Sequence, residues 1–597
     1  MNSPRATSRG AKHVQGFPLR KPEGRKIIAH GASRWGTSDG SPSPGTGRHF
    51  IRAARSCLAL LLVPFTALAG DTWIPLSQTI HRAFHPETVR VEAVSGLAER
   101  ISDGKLHLHL KDFLELVLKN STAIRLNRLD VYTAADQITF AKSPLDPVLT
   151  GGFSAQRTVS PQYDQIEGAQ TLSSLTQTST LGYQQLLPTG QTVNATFQAD
   201  RNSANSSFYF FNPNLGTGLN LSITQPLLQN RNRVQFLGPL QIARTQLLIT
   251  AESSAAQIAT TLATAAGQYW DAVRARDAIG VQRQNVELAR KSYDHDKQSL
   301  DLGALGKLDI FQSETQVAER ERDLIAAQFD YTNALDGLRR LIGADLTASM
   351  RAVEIVLDDD PTMLPPETIL PFEDALAQAL KTRPELRQAE QRIAVDDLNA
   401  RIARNLLMPQ LNLSVIGGSQ GLGGDYVPGQ QIIGLPTTAS SSGIGTAMEQ
   451  LFTVPYPTYG FSLNFTLPLR NSTAKATLSD SLVNRVRDQY LERQAQQQVI
   501  FDVRQAVRAI DLAKATIKAA TQARDLAREN VEAEQKKYEL GTILAFELLD
   551  SQTRLASTEV ALLGAFVGYQ EAYINYQYAT WTLLDSLAFV FQIPKAP

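Results

Sequence analysis

With one cysteine, Cys57, in 597 residues, the chain can close no disulfide within itself, and packing or assembly must hold it together. Basic and acidic residues number 58 each, so there is no charge excess to draw a nucleic acid. No stretch supplies the ~20 continuous apolar residues that a spanning helix requires. If the chain crosses a membrane, it must do so as a β-barrel, which satisfies its backbone between strands. Beyond His109 there is a single histidine, His295, and no phosphate-binding or dinucleotide fingerprint. A nucleophile-base arrangement or a metal cage therefore has few candidate residues, and no cofactor is expected. Five methionines in the whole chain give no basis for a methionine-lined metal duct.

What is present begins with residues 1–47, whose Gly, Ser, Pro and Arg content cannot bury a core. Arg48, Arg52 and Arg55 follow, and then an apolar or small-residue run from Cys57 to Ala69 that closes on Ala67-Leu68-Ala69. Basic, apolar and A-x-A segments in that order read as a secretory signal, too short to be a span. Residues 1–69 are thus an extension plus signal peptide. Residues 70–107, with His81, His85 and His107, read as a solvated N-terminal arm.

From Leu108 a helical pattern runs through Leu114, Val117, Leu118, Ala123 and Leu126 to about Ala141, where Pro144 and Pro147 stop it. The period then changes. Segments 148–160, 178–186, 192–200 and 216–227 alternate weakly and read as strands, with a tight turn at Leu187-Pro-Thr-Gly190 and an exposed loop at 202–213. Weak alternation is what individual barrel strands carry. From about Arg231 to Ser299 nothing breaks a helix, which at 1.5 Å per residue would be ~100 Å long. Another helix runs from Leu305 to about Ile342, and a structureless, proline-containing stretch from Gly343 to Pro371 separates it from the second half of the chain.

The order then repeats. Displaced by 262, Leu114, Arg125, Pro147 and Leu149 meet Leu376, Arg387, Pro409 and Leu411; displaced by 242, Leu221, Thr224 and Pro226 meet Leu463, Thr466 and Pro468. Displaced by 238, Leu302, Gly303, Ser313 and Thr315 meet Leu540, Gly541, Ser551 and Thr553, and Asp309 falls on Glu547. The falling offset places about 20 extra residues between the outer strands of the first half. Helix, strands, long helix, bend and helix occur twice, as repeats 108–342 and 374–584. A linking segment 343–373 lies between them, and residues 585–597 form a tail. In the second long helix Val499, Val503, Ala506, Ile510, Ala513, Ile517 and Ala520 form a heptad seam whose alanines suit a multi-helix wall. An envelope scaffold made of coiled coil would share that seam, but leaves the proline-bounded strands unexplained.

Several features together resemble the outer membrane factor family, the TolC-like channels of Gram-negative efflux and secretion systems. They are Arg383-Pro-Glu-Leu386 in a helix ending at Met408-Pro-Gln-Leu411, the closings Thr224-Gln-Pro-Leu227 and Thr466-Leu-Pro-Leu469, and the two bends. The resemblance implies an α+β membrane protein built from two internal repeats. It implies a homotrimer sharing an outer-membrane β-barrel of twelve strands, continued by a periplasmic α-helical barrel of twelve helices. It also implies outer-membrane lipid, a periplasmic adaptor and an inner-membrane transporter as partners. The extra strand pair of the first half departs from that pattern. Adaptor docking would fall on the helix tips, Leu302, Gly303, Ala304, Leu540, Gly541 and Thr542. The periplasmic constriction would fall on Glu547, Asp550, Tyr538 and Asp309, with Ile543 where the family carries an arginine. Without the resemblance, Glu547 and Asp550, three residues apart, are an ordinary solvated acidic helix face.

Overall fold

A helix of about 70 residues is held by its neighbours and not by propensity, and neighbours here run along its whole length. The computed structural model describes residues 91, 93–161, 171–206, 209–302, 306–346, 348–365, 369–427, 440–540, 542–543 and 545–587. The signal-peptide reading of residues 1–69 and most of the N-terminal arm lie outside them. All the described secondary structure belongs to the unit Glu92–Pro597.

β1 (Ile101–Ser102) and β2 (Lys105–Leu108) precede α1 (Leu110–Asn120) and α2 (Thr122–Lys142). Four strands follow: β3 (Val148–Pro161), β4 (Thr171–Leu186), β5 (Thr192–Ala204) and β6 (Phe211–Pro226). Then come α3 (Arg233–Asp301), of 69 residues, α4 (Lys307–Leu341) and β7 (Glu354–Leu357). The second half holds α5 (Phe372–Thr382), α6 (Pro384–Asn405), β8 (Gln410–Tyr426), α7 (Ile444–Thr453), β9 (Pro457–Thr466), α8 (Ser472–Glu539) and α9 (Ala545–Ala579). No described helix is long and apolar enough to cross a membrane.

Several expectations change. The helix expected from Leu108 to Ala141 is two helices, broken at Ser121, whose ψ of 123° is extended. The helix expected to carry Arg383-Pro384 breaks there too, at ψ 127°, because a proline ring crowds the residue before it out of the α region. The arm expected to be solvated is partly structured: β2 pairs in parallel with β7, Leu106 and Leu108 are buried, and the linking segment is correspondingly not structureless. Pairing of β2 with β7 satisfies backbone groups that burial would otherwise strand. The loop expected at 202–213 is shortened from both sides by β5 and β6.

The three-stranded sheet β1-β2-β7 sits on a core of Leu108, Phe113, Val117, Leu262, Tyr269, Leu338 and Ile342. Two clusters of side chains tie this belt together. Tyr269 hydroxyl reaches the Leu108 carbonyl at 2.8 Å and Asp359 at 2.9 Å, while Arg276 donates to the Leu357 carbonyl at 2.5 Å and the Asp359 carbonyl at 3.0 Å. Burial keeps the Tyr269 phenol protonated, its pKa raised above the ordinary range. On the other side Arg383, 3% exposed, donates to Asp502 at 2.8 Å and lies over the Tyr578 ring. It thereby joins the α5–α6 break to α8 and α9. The heptad seam of α8 is present, with Val499, Val503, Ala506 and Ile510 buried.

The remaining strands form one antiparallel sheet in the order β3-β4-β5-β6-β8-β9. Apart from an irregularity at Phe211, every register joins odd residues to odd and even to even. The two faces are therefore continuous. Odd positions present Leu149, Phe153, Phe197, Leu221, Ile223, Val415, Phe461 and Phe465; even positions present Ser154, Thr178, Thr196, Asn220, Ser222, Ser414, Ser462 and Asn464. At the end away from the long helices α7 lies against the odd face, with Thr217 hydroxyl donating to the Ala447 carbonyl at 2.7 Å. Only glycine fits at Gly421, because a Cβ there would collide with that same carbonyl.

Candidate functional site: the helix tips

Each long helix ends on a leucine in the same conformation. Leu302 caps α3 at φ −84°, ψ −2°, its N–H reaching the carbonyls of Gln298 and Leu300; Leu540 caps α8 at φ −86°, ψ 0°, reaching Lys536 and Tyr538. After α8, Thr542 returns both its N–H (2.9 Å) and its hydroxyl (2.8 Å) to the Lys537 carbonyl. The N–H bond is the six-to-one closure of a Schellman cap, and it satisfies an otherwise orphaned helix carbonyl. Both capping leucines are left in solvent, 85% and 78% exposed. Gly303, Ala304, Gly541 and the side chain of Asp309 lie outside the described residues.

The two hairpins share a fastening further from the tip. Arg290 pairs with Glu321 at 2.5 Å across α3 and α4, and Arg528 with Glu559 at 3.2 Å across α8 and α9. Both partners are displaced by the same 238 residues that align the bends.

Nearer the tip the two hairpins differ. Asp296 of α3 is 1% exposed and accepts hydrogen bonds from Ser313 of α4 and from the Tyr538 hydroxyl of α8. The His295 ring packs 5.0 Å from the Tyr538 ring. One carboxylate thus joins three helices from both halves. The positions 238 residues on are Glu534 and Ser551, which do not form this contact. Ser551 hydroxyl returns to the Leu548 carbonyl of its own helix, and Glu534 accepts from Asn530 at 3.2 Å. Arg320 to Thr553 (2.5 Å) and Gln552 to Ser292 (3.5 Å) add further ties between the hairpins.

Tyr538 is therefore engaged at the tip, and a described partner is Asp296, which sequence reasoning missed. The signal available was the acid-and-serine pair recurring at 296/313 and 534/551. Glu547 stands exposed in the first turn of α9, where an acid complements the helix dipole. Asp550 is exposed as well, and pairs with Arg554 one turn on at 2.9 Å. The two acids share the solvent side while Leu548 and Leu549 between them are buried. No group of three or more metal-ligating side chains occurs among the described residues.

The described chain is thus a two-faced sheet joined to ~100 Å helices that end in exposed hairpins. The outer membrane efflux protein family matches residues 375–577, so the second half of the chain carries that family's domain, as the resemblance implied. Protein CyaE of Bordetella pertussis is 27% identical over 178 residues, which are 30% of this chain and 36% of CyaE. The match thus spans about a third of the curated relative's length. Among solved structures, the CmeC outer membrane channel of Campylobacter jejuni aligns at a TM-score of 0.56 and 15% identity, covering 83% of this chain and 94% of that one. CusC, described for transmembrane channel formation, aligns at 0.57 and 16%, covering 86% and 99%. The fold is that of the TolC-like outer membrane channels.

Proposed function

We propose that the protein is a passive outer-membrane channel, the exit duct of a tripartite efflux or type I secretion system energised by an inner-membrane pump. The observation that carries this reading is the pattern of free edges. Contacts order the sheet β3 to β9, the helices beside it α2-α3-α6-α8, and the helices toward the tips α4-α3-α9-α8. In each storey one edge belongs to the first half (β3, α2, α4) and the other to the second (β9, α8, α8). Those helix edges carry exposed apolar side chains: Phe140 on α2, Phe329 on α4, and Phe501, Leu512 and Leu526 on α8. A first-half edge meeting the second-half edge of the next copy makes a head-to-tail contact, the kind that closes a ring when the rotation between copies is right. The family match supports three copies in that ring, built from protomers with an internal duplication.

In this reading the odd face of the sheet meets outer-membrane lipid and the even face lines the lumen. The helices reach through the periplasm, and Leu302 and Leu540 offer the adaptor an apolar tip. Glu547 and Asp550 line the periplasmic mouth, and the Asp296–Ser313–Tyr538 contact helps hold it closed. The test is expression in a Gram-negative host. The protein should fractionate with the outer membrane as a trimer that conducts in planar bilayers, and a soluble, non-conducting monomer would overturn the reading. Gly303→Val and Gly541→Val should weaken adaptor cross-linking with insertion intact. Glu547→Gln with Asp550→Asn should relieve block by multivalent cations applied from the periplasmic side.

A further inference from the structure

We infer that the hairpin β4–β5 is part of the channel wall, so that three copies of the six-stranded sheet close a barrel of eighteen strands. This rests on the threefold duct reading and adds the width of the outer exit.

The hairpin is an addition inside the sheet. The internal alignment places β3 on β8 and β6 on β9, which leaves β4 and β5 without counterparts. Yet it is built like its neighbours. β4 and β5 have 16 and 13 residues, more than the ~9–11 that a tilted membrane strand requires. Their registers run without a shift from β3 to β6. Leu181 and Phe197 continue the apolar face, and Thr178 and Thr196 continue the polar one. A hairpin projecting into water would gain nothing from that division. Because the addition is internal, it leaves β3 and β9 as the edges, and an unpaired strand edge cannot face lipid.

The closed barrel would have a backbone diameter of roughly 36 Å against roughly 24 Å for twelve strands. The outer exit is then porin-like in width, and size selection falls to the tips.

The test uses the full chain with Cys57 replaced, oxidised in its native membrane. Ser154→Cys on β3, combined in turn with Gly460→Cys, Ser462→Cys and Asn464→Cys on β9, should give species of two and three linked copies. Ser154→Cys with Asn220→Cys, Ser222→Cys or Thr224→Cys on β6 should stay unlinked. Linkage of β3 to β6 within one copy would show the hairpin folded out of a twelve-stranded wall, which overturns the inference and leaves the duct reading standing. Failure of every β3–β9 pair to link copies also overturns it. If native mass measurement then finds no trimer, the duct reading falls as well.

Discussion

The belt around β2 and β7 and the tips around Leu302 and Leu540 both fasten helices side by side, but with different means. In the belt, long side chains set into the packing hold the helices: Tyr269 bonds the Leu108 carbonyl, half-buried Arg276 bonds two carbonyls, and buried Arg383, over the Tyr578 ring, bonds Asp502. At the tips, one buried carboxylate is held by two side-chain hydroxyls, and the apolar residues beyond it face solvent. A belt of that kind resists rearrangement, whereas the tip contact can be released by moving a few rotamers. The proposed duct, assembled along its length and opening at one end, would need both.

The largest effect should come from breaking the belt. Arg383→Ala removes a buried cation, its bond to the partly exposed Asp502 and its packing on Tyr578, and loss of a hydrogen bond between charged groups alone costs about 1.5–3 kcal/mol. Thermal denaturation should show it, and failure to accumulate in the membrane fraction would be the same effect in a cell. Tyr269→Phe removes one donor serving two acceptors and should cost about 1–3 kcal/mol by the same measurement. At the tip, Asp296→Asn should lower stability by only about 1 kcal/mol while raising conductance. Equal loss of stability at both places, or unchanged conductance, would erase the contrast between belt and tip.

Two titrations sharpen it. Where α6 meets α8, burial and the neighbouring Asp488 raise Asp396 to about 6. A carboxyl whose folded pKa is raised works against the fold once ionised, from its ordinary pKa upward and fully above 6. Asp396→Asn should therefore stabilise the fold at pH 8 by on the order of 1 kcal/mol, read as a higher melting temperature, with the gain fading toward pH 5. In the belt, the hydrogen bond to Asp359 raises the pKa of His109. Its contribution is full below the unfolded histidine pKa and is lost as pH rises through the folded one. His109→Gln should flatten that small decline in stability between pH 6 and 8; an unchanged slope would assign the decline to another group.

Much was legible because it is local. Periodicity gave the two long helices of the first half to within about two residues of their observed ends, and the glycine-centred bends, matched at 238 residues, fall where α3 and α8 end. Weak alternation located β3 to β6, although it underestimated the length of β4, β5 and β6, and it missed β1 and β2. The tip was legible only in outline: Tyr538 stood out by its place before the bend. Asp296, its described partner 242 residues away, looks in the sequence like any polar residue on a long helix.

By itself the sequence determined which segments are helix, strand and bend, and that this order recurs. Hydrophobic period, proline stops and glycine bends act within a few residues of chain. Tertiary structure alone decided that β2 pairs with β7, that Arg383 is buried rather than solvated, and that Asp296 gathers Ser313 and Tyr538. Each of these depends on which helix faces lie together, and buried polar groups take whatever partners that packing brings within reach. The free edges β3, α2, α4, β9 and α8 belong to the same level, since an edge is defined only by the neighbour it does not have.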